Sequence, residues 1–141
     1  NTTFIGWDDK KVEAKCHNSD LNINFLCDGI IRYKGKEVIL EIKTIHQFGF
    51  GKLDKPLEKH IRQAVCYSIS MGIEEVLFFY EDRNFLKKKA FLYHITEEDK
   101  KSILDKIDYI ENAIKNNILP PKELDKCLYC DRKEQCRKDG E

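Results

Sequence analysis

Apolar and polar positions change period several times along the chain. Two blocks rich in Ile and Val, INFLCDGIIRY (23–33) and EVILEIKT (37–44), flank Lys34-Gly35 and predict a β-hairpin with a tight glycine-containing turn. Upstream, KVEAKCHNSDL (11–21) is a weaker strand candidate that ends in Asn-Ser-Asp. IHQFGFGKLDKP (45–56), with its glycines and a proline, predicts a loop. The period then becomes helical over LEKHIRQAVCYSISMG (57–72), where Leu57, Ile61, Val65 and Ile69 share one side and Gly72 closes the helix. EEVLFFYE (74–81) and KKAFLYHIT (88–96) return to strand composition around the polar turn DRN. Thr96 is placed to cap a last helix whose first turn holds Glu97, Glu98 and Asp99, acids suited to the positive end of the helix dipole. Its stripe of Ile103, Ile107, Ile110, Ile114 and Ile118 predicts a core-facing side, and LPPK (119–122) is expected to end it.

The resulting order, β-β-β-α-β-β-α, predicts an α/β or α+β fold with a mixed central β-sheet flanked by helices. A chain of 141 residues suits one domain, divided here into a core (1–119) and a cysteine-rich C-terminal appendix (120–141). Composition narrows the function classes. Twenty-five basic and 25 acidic residues balance to zero net charge, which excludes a uniformly basic coat and leaves only local lysine clusters at 51–62, 83–89 and 130–138. No apolar run has the length of a membrane span and no secretory leader opens the sequence, so a cytoplasmic setting without membrane contact is expected. The start at Asn1 rather than Met suggests a processed or trimmed fragment.

Two carboxylates stand inside strand-like runs. Strand alternation places Glu41 and Lys43 on one face, with Val38, Leu40 and Ile42 packing on the other. If Lys34-Gly35 is a two-residue turn, Tyr33 pairs with Lys36, and counting outward sets Asp28 opposite Glu41. Like charges opposed in this way repel, and a divalent cation such as Mg²⁺ converts the repulsion into chelation. The competing reading pairs Glu41 with Lys43 or Arg32 as a surface salt bridge. On the following helix His60, Gln63 and Tyr67 fall on one face, a polar stripe that packing does not require.

Asp28-Gly29, then Glu41-Ile42-Lys43, then Gln63-x-x-x-Tyr67 resembles the PD-(D/E)XK nuclease superfamily, and most closely its RecB/AddB-type exonuclease branch. The proline of the superfamily name is absent, with Cys27 in its place. The motifs cover residues 23–72. The resemblance implies a restriction-endonuclease-like core. It also implies that Asp28, Glu41 and the Ile42 carbonyl hold Mg²⁺ or Mn²⁺, that Lys43 orients or deprotonates the attacking water, and that Gln63 and Tyr67 position water or the DNA backbone. His60 is a candidate phosphate contact or a solvent-facing histidine.

Near the C-terminus, CLYCDRKEQC (127–136) has the spacing C-x2-C-x5-C, a dense thiolate set typical of metal sites. The iron–sulfur members of the RecB/AddB-type branch, CRISPR-associated exonucleases among them, carry three C-terminal cysteines of similar spacing and a fourth upstream. By that resemblance Cys127, Cys130 and Cys136 bind a [4Fe–4S] cluster, with Cys16 as the upstream candidate. Zn²⁺ held with His17 or another ligand, and three surface cysteines without metal, are the alternatives.

The resemblance thus implies a metal-dependent DNA exonuclease acting on single-stranded ends, in a bacterial, archaeal or phage-infected cytoplasm. The loop 45–56 and the turn 83–89 are expected to flank its substrate groove, with Phe48 and Phe50 available to stack on bases. An endonuclease of the same fold acting on DNA or RNA, and a non-catalytic nucleic-acid-binding module with a structural metal, are the alternatives.

Overall fold

The computed structural model describes the backbone of residues 2–7, 14–119 and 130–138, and the side chains of residues 15–119 and 130–135. It divides into two compact units, residues 1–105 and 106–141.

The first unit begins with β1 (Thr2–Trp7), β2 (Ala14–Asn18) and β3 (Ile23–Cys27), an antiparallel sheet in the order β1-β2-β3. A second, four-stranded sheet follows the order β4-β5-β6-β7, from β4 (Gly29–Tyr33), β5 (Lys36–Ile45), β6 (Glu75–Asp82) and β7 (Lys88–His94). The β5–β6 pair is parallel and the other two are antiparallel. Between β5 and β6 the chain forms α1 (Gln47–Gly51) and α2 (Glu58–Met71), and after β7 it enters α3 (Glu97–Lys115). The fold is mixed α+β, a four-stranded mixed sheet flanked by helices.

The hairpin register is the one counted from the turn. Tyr33 pairs with Lys36, Arg32 with Glu37, and the ladder continues to Gly29 and Leu40. Lys34 and Gly35 both take positive φ, 49° and 80°, as a two-residue hairpin turn demands. The block 23–33, expected as one strand, breaks at Asp28 into β3 and β4, which belong to different sheets. The segment 45–56 is not all loop. His46 accepts a hydrogen bond from the Phe48 N–H at the start of α1, and Phe50 is buried as its anchor.

The faces of β5 are assigned by α2, and they correct the expectation from the sequence. Ile39 on the odd-numbered face is fully buried with Ile61, Ala64, Val65 and Tyr67 of α2, in one core with Val76, Phe78 and Tyr80 of β6. Glu41 shares that buried face at 1% exposure, whereas Ile42 on the other face is 50% exposed. The even-numbered side divides along the strand: Val38 is buried as expected and Leu40 partly so, and only Ile42, beyond them, is left exposed. Full burial of each such Ile, Val or Phe stabilises by about 1.5–3 kcal/mol.

Caps close the helices as the sequence predicts. Gly72 is left-handed at φ 71° and its N–H donates to the Ser68 carbonyl. At the start of α3 the Asp99 N–H donates to the Thr96 hydroxyl, while the Thr96 N–H and hydroxyl donate to the Asp99 carboxylate. Ile103 packs on the core of the first unit.

In the second unit the isoleucine stripe is not core. Ile110, Ile114 and Ile118 are exposed, Ile114 at 71%. The described residues of this unit are the rest of α3, a short tail and α4 (Lys133–Lys138). α3 ends before LPPK. Asn117 takes φ 54°, and the Ile118 N–H turns back to the Ala113 carbonyl, which stops the helix at Lys115. Cys127 lies outside the described residues, as does the side chain of Cys136, and Cys130 is exposed.

Candidate functional site

Three elements bring Asp28, Glu41, Lys43, Gln63 and Tyr67 together. Asp28 sits at the bend between β3 and β4, one position beyond the last paired residue of the hairpin. There its carboxylate replaces the next rung of the ladder, Oδ2 accepting from the Ile42 N–H at 2.7 Å. That bond holds Asp28 against the peptide linking Glu41 to Ile42.

Glu41 and Lys43, two residues apart on one face of β5, form an ion pair with Nζ 2.6 Å from Oε2. A carboxylate this deeply buried needs such a counter-charge, because desolvation of an isolated ion costs several kcal/mol. The surface salt bridge weighed from the sequence is therefore a buried one. The same ammonium donates to Gln63 Oε1 at 3.0 Å. Lysine only donates, so the amide carbonyl faces Lys43 and the amide NH₂ donates to the Tyr67 hydroxyl at 2.6 Å. A continuous polar run, Glu41–Lys43–Gln63–Tyr67, thus joins β5 to α2.

Tyr67 is buried, its ring 5.0 Å from that of Phe25 on β3. Burial, and next the negative charge of Glu41, hold its phenol well above the ordinary value despite the hydrogen bond from Gln63, and Asp28 adds to the rise. The phenol is therefore protonated at neutral pH. Burial likewise pushes the Cys27 thiol up to about 11, with Glu41 and Asp28 contributing, and its Sγ–H donates to the Gly29 carbonyl at 3.3 Å. Cys27 is an inert packing residue beside the two acids.

His60 precedes Gln63 by one turn of α2. Its Nδ1 lies 2.8 Å from the hydroxyl of Tyr80, a fully buried residue of β6. Burial first, then the charges of Lys43 and Lys59, lower the His60 imidazole to about 4. The sequence pattern over 74–81 gives only a strand and no role for Tyr80; the signal it holds is a tyrosine inside an apolar run, whose hydroxyl requires a buried partner.

A groove of about 660 Å³ adjoins the site, lined by Cys16, Phe25, Leu26, Gln63, Cys66 and Tyr67 among others. On the other flank the segments after β5 and β6 are tied together, the Arg83 N–H donating to the Ile45 carbonyl and the Gln47 N–H to Asn84 Oδ1. Of the two phenylalanines considered for stacking, Phe48 is 73% exposed, but Phe50 is buried beneath Lys89, whose Nζ lies 4.8 Å from its ring centre. Phe50 holds the segment in place and is not accessible to a base.

Among the described residues no three His, Cys, Asp or Glu side chains converge as a metal site. Asp28 accepts the Ile42 N–H and Glu41 is the residue just before that peptide, so two carboxylates belong to its immediate surroundings. Such an all-oxygen set fits Mg²⁺ or Mn²⁺, which take one or two carboxylates and complete their shell with water or phosphate, better than a soft metal.

Neither a family model nor a curated protein matches the chain. Among solved structures, one described as the crystal structure of SSO0001 is similar with a TM-score of 0.56 at 18% sequence identity, over 97% of this chain and 58% of that chain. At that identity the likeness shows the fold alone. No helix among the described residues is long and apolar enough to cross a membrane.

Proposed function

We propose that this chain is a metal-dependent nuclease of the PD-(D/E)XK superfamily, of the RecB/AddB exonuclease type, hydrolysing phosphodiester bonds at single-stranded DNA ends. The observation that carries the reading is the polar run from Glu41 through Lys43 and Gln63 to Tyr67, with Asp28 held against the Ile42 peptide beside it. Five residues separated by up to 39 positions meet there, and one of them is a carboxylate buried among apolar neighbours. A restriction-endonuclease-like core suits the four-stranded mixed sheet with its α2 crossover.

In this reading Asp28, Glu41 and the Ile42 carbonyl hold Mg²⁺ or Mn²⁺, which supplies an activated water and charge stabilisation at the phosphate. The residues of the chain do the rest. Lys43, poised by Glu41 and Gln63, orients the attacking water and offers its positive charge to the phosphate oxygens. Gln63 fixes the lysine rotamer through its carbonyl and is itself fixed by Tyr67. Tyr67, protonated and packed on Phe25, keeps the amide from rotating. The zero net charge of the whole chain confines attraction for the DNA backbone to local clusters, Lys43 and Lys59 among them.

For the C-terminal motif, C-x2-C-x5-C supports a [4Fe–4S] cluster on Cys127, Cys130 and Cys136, with Zn²⁺ as the alternative metal. Iron and sulfide assays on an anaerobic preparation decide this; zinc without iron would replace the cluster.

A nuclease assay with Mg²⁺ or Mn²⁺ tests the activity, comparing the parent with Lys43→Ala and Asp28→Ala on linear and circular single-stranded DNA. Loss of cleavage in both variants is expected, with circles left intact. Undiminished cleavage by both variants would refute the site, and opened circles would make the enzyme an endonuclease.

A further inference from the structure

Resting on the nuclease reading, we propose that Tyr80 holds His60 as its Nε2–H tautomer, and that this N–H donates to a non-bridging oxygen of a bound phosphate, beside Lys43. His60 is then a substrate-contacting hydrogen-bond donor, not a proton shuttle.

Tyr80 is fully buried, and its oxygen accepts the Leu57 N–H at 3.1 Å. Burial, and to a lesser degree the charge of Glu41, hold the phenol above its ordinary value despite that bond, so its hydrogen is present at neutral pH. A buried hydroxyl must place that hydrogen on an acceptor. The His60 Nδ1, 2.8 Å away, is the acceptor in reach. If Nδ1 carried a hydrogen instead, two donors would meet at the phenol oxygen and its own hydrogen would have no acceptor. Nδ1 is thus the acceptor, and the neutral ring carries its proton on Nε2.

The imidazole is further pinned against the Tyr80 ring, centroids 5.6 Å apart. Among the described residues the hydrogen bond of the ring is made by Nδ1, and His60 as a whole is partly exposed, which leaves Nε2 to a ligand. Lys43 and Lys59 are the charged groups that act on it, and both disfavour a second proton. Lys43 is paired with Glu41, and Lys59 adds a second cation on the same helix as His60; together they favour an anionic oxygen as the acceptor of the N–H. His60 also shares a helix face with Gln63, which binds Lys43 directly. A phosphate reaching Lys43 therefore comes within range of the imidazole.

Long-range ¹H–¹⁵N NMR on the labelled full chain reads the tautomer directly. The expected result is unprotonated Nδ1 and protonated Nε2, unchanged from roughly pH 6 to 8. A short single-stranded oligothymidylate, added without metal, should shift the Nε2–H signal. Tyr80→Phe should release the tautomer preference. In the Mg²⁺ assay, His60→Ala should lose about tenfold in kcat/KM, mostly through KM, and His60→Gln, which still donates, should recover much of it. An Nδ1–H or cationic ring at neutral pH, or an Nε2–H signal that the oligonucleotide leaves unmoved, overturns the proposal. If the signal moves while the parent cleaves nothing with either metal, the nuclease reading fails and His60 stands as a phosphate-binding donor.

Discussion

The Lys43 ammonium lies 2.6 Å from Oε2 of Glu41, two residues away on the core-facing side of β5. This pair makes the site a liability for the fold as well as a candidate for chemistry. Lys43→Met would leave the buried carboxylate without its cation. The expected loss is near the low end of about 3–5 kcal/mol, since Lys43 keeps some contact with water. Urea unfolding at neutral pH measures it, and the double variant Lys43→Met/Glu41→Gln should regain much of the loss. On the proposed function, either single change also lowers kcat by about 10²–10⁴.

Asp28 allows its structural and chemical parts to be separated. Asn in its place retains an oxygen that accepts the Ile42 N–H, so Asp28→Asn should cost within about 1 kcal/mol of stability. On the proposed function, cleavage should nonetheless fall by about 100-fold or more, because the charge is gone. Millimolar Mg²⁺ should raise the melting temperature of the parent but not of Asp28→Asn. Equal activity in the two proteins would remove Asp28 from the site.

The start of α3 carries a pH-dependent contribution. Partial burial of Asp99 opposes its ionisation, but hydrogen bonds from the Thr96 N–H and hydroxyl and from Tyr93 prevail and hold its carboxyl below the ordinary value. A carboxylate depressed on folding stabilises the protein above its unfolded value and loses that contribution as pH falls through the folded one. Acid titration of stability should therefore be shallower in Asp99→Asn than in the parent below about pH 4. Thr96→Ala should cost about 1 kcal/mol at neutral pH, read by thermal unfolding.

Lys89 on β7 ties down the segment after β5. Its ammonium donates to the Phe50 carbonyl at 2.8 Å and to the Leu53 carbonyl at 2.7 Å while lying over the Phe50 ring. Lys89→Met should destabilise this segment by about 1.5–3 kcal/mol, the range for hydrogen bonds from a charged donor. Faster amide exchange confined to residues 47–53, with α3 unaffected, is the expected signature.

Local chemistry was legible wherever neighbours in sequence decide the outcome. The Lys34-Gly35 turn, the hairpin register up to Gly29 and Leu40, the left-handed cap at Gly72 and the Thr96–Asp99 box all follow from bonds made within a few residues. The shared face of Glu41 and Lys43, and the helical stripe of Gln63 and Tyr67, could be counted from periodicity for the same reason. What periodicity cannot supply is which face another element covers. β5 has Val38, Leu40 and Ile42 on one side and Ile39, Glu41 and Lys43 on the other, and only the placement of α2 buries Glu41 on the second side while Ile42 on the first is left exposed. Ile110, Ile114 and Ile118 read as core like Ile103, because spacing records an apolar side, not whether anything packs against it. Tyr80 shows the same limit in reverse. Its phenol and the imidazole of His60, 20 residues apart, meet only because the parallel β5–β6 crossover folds α2 back across β6.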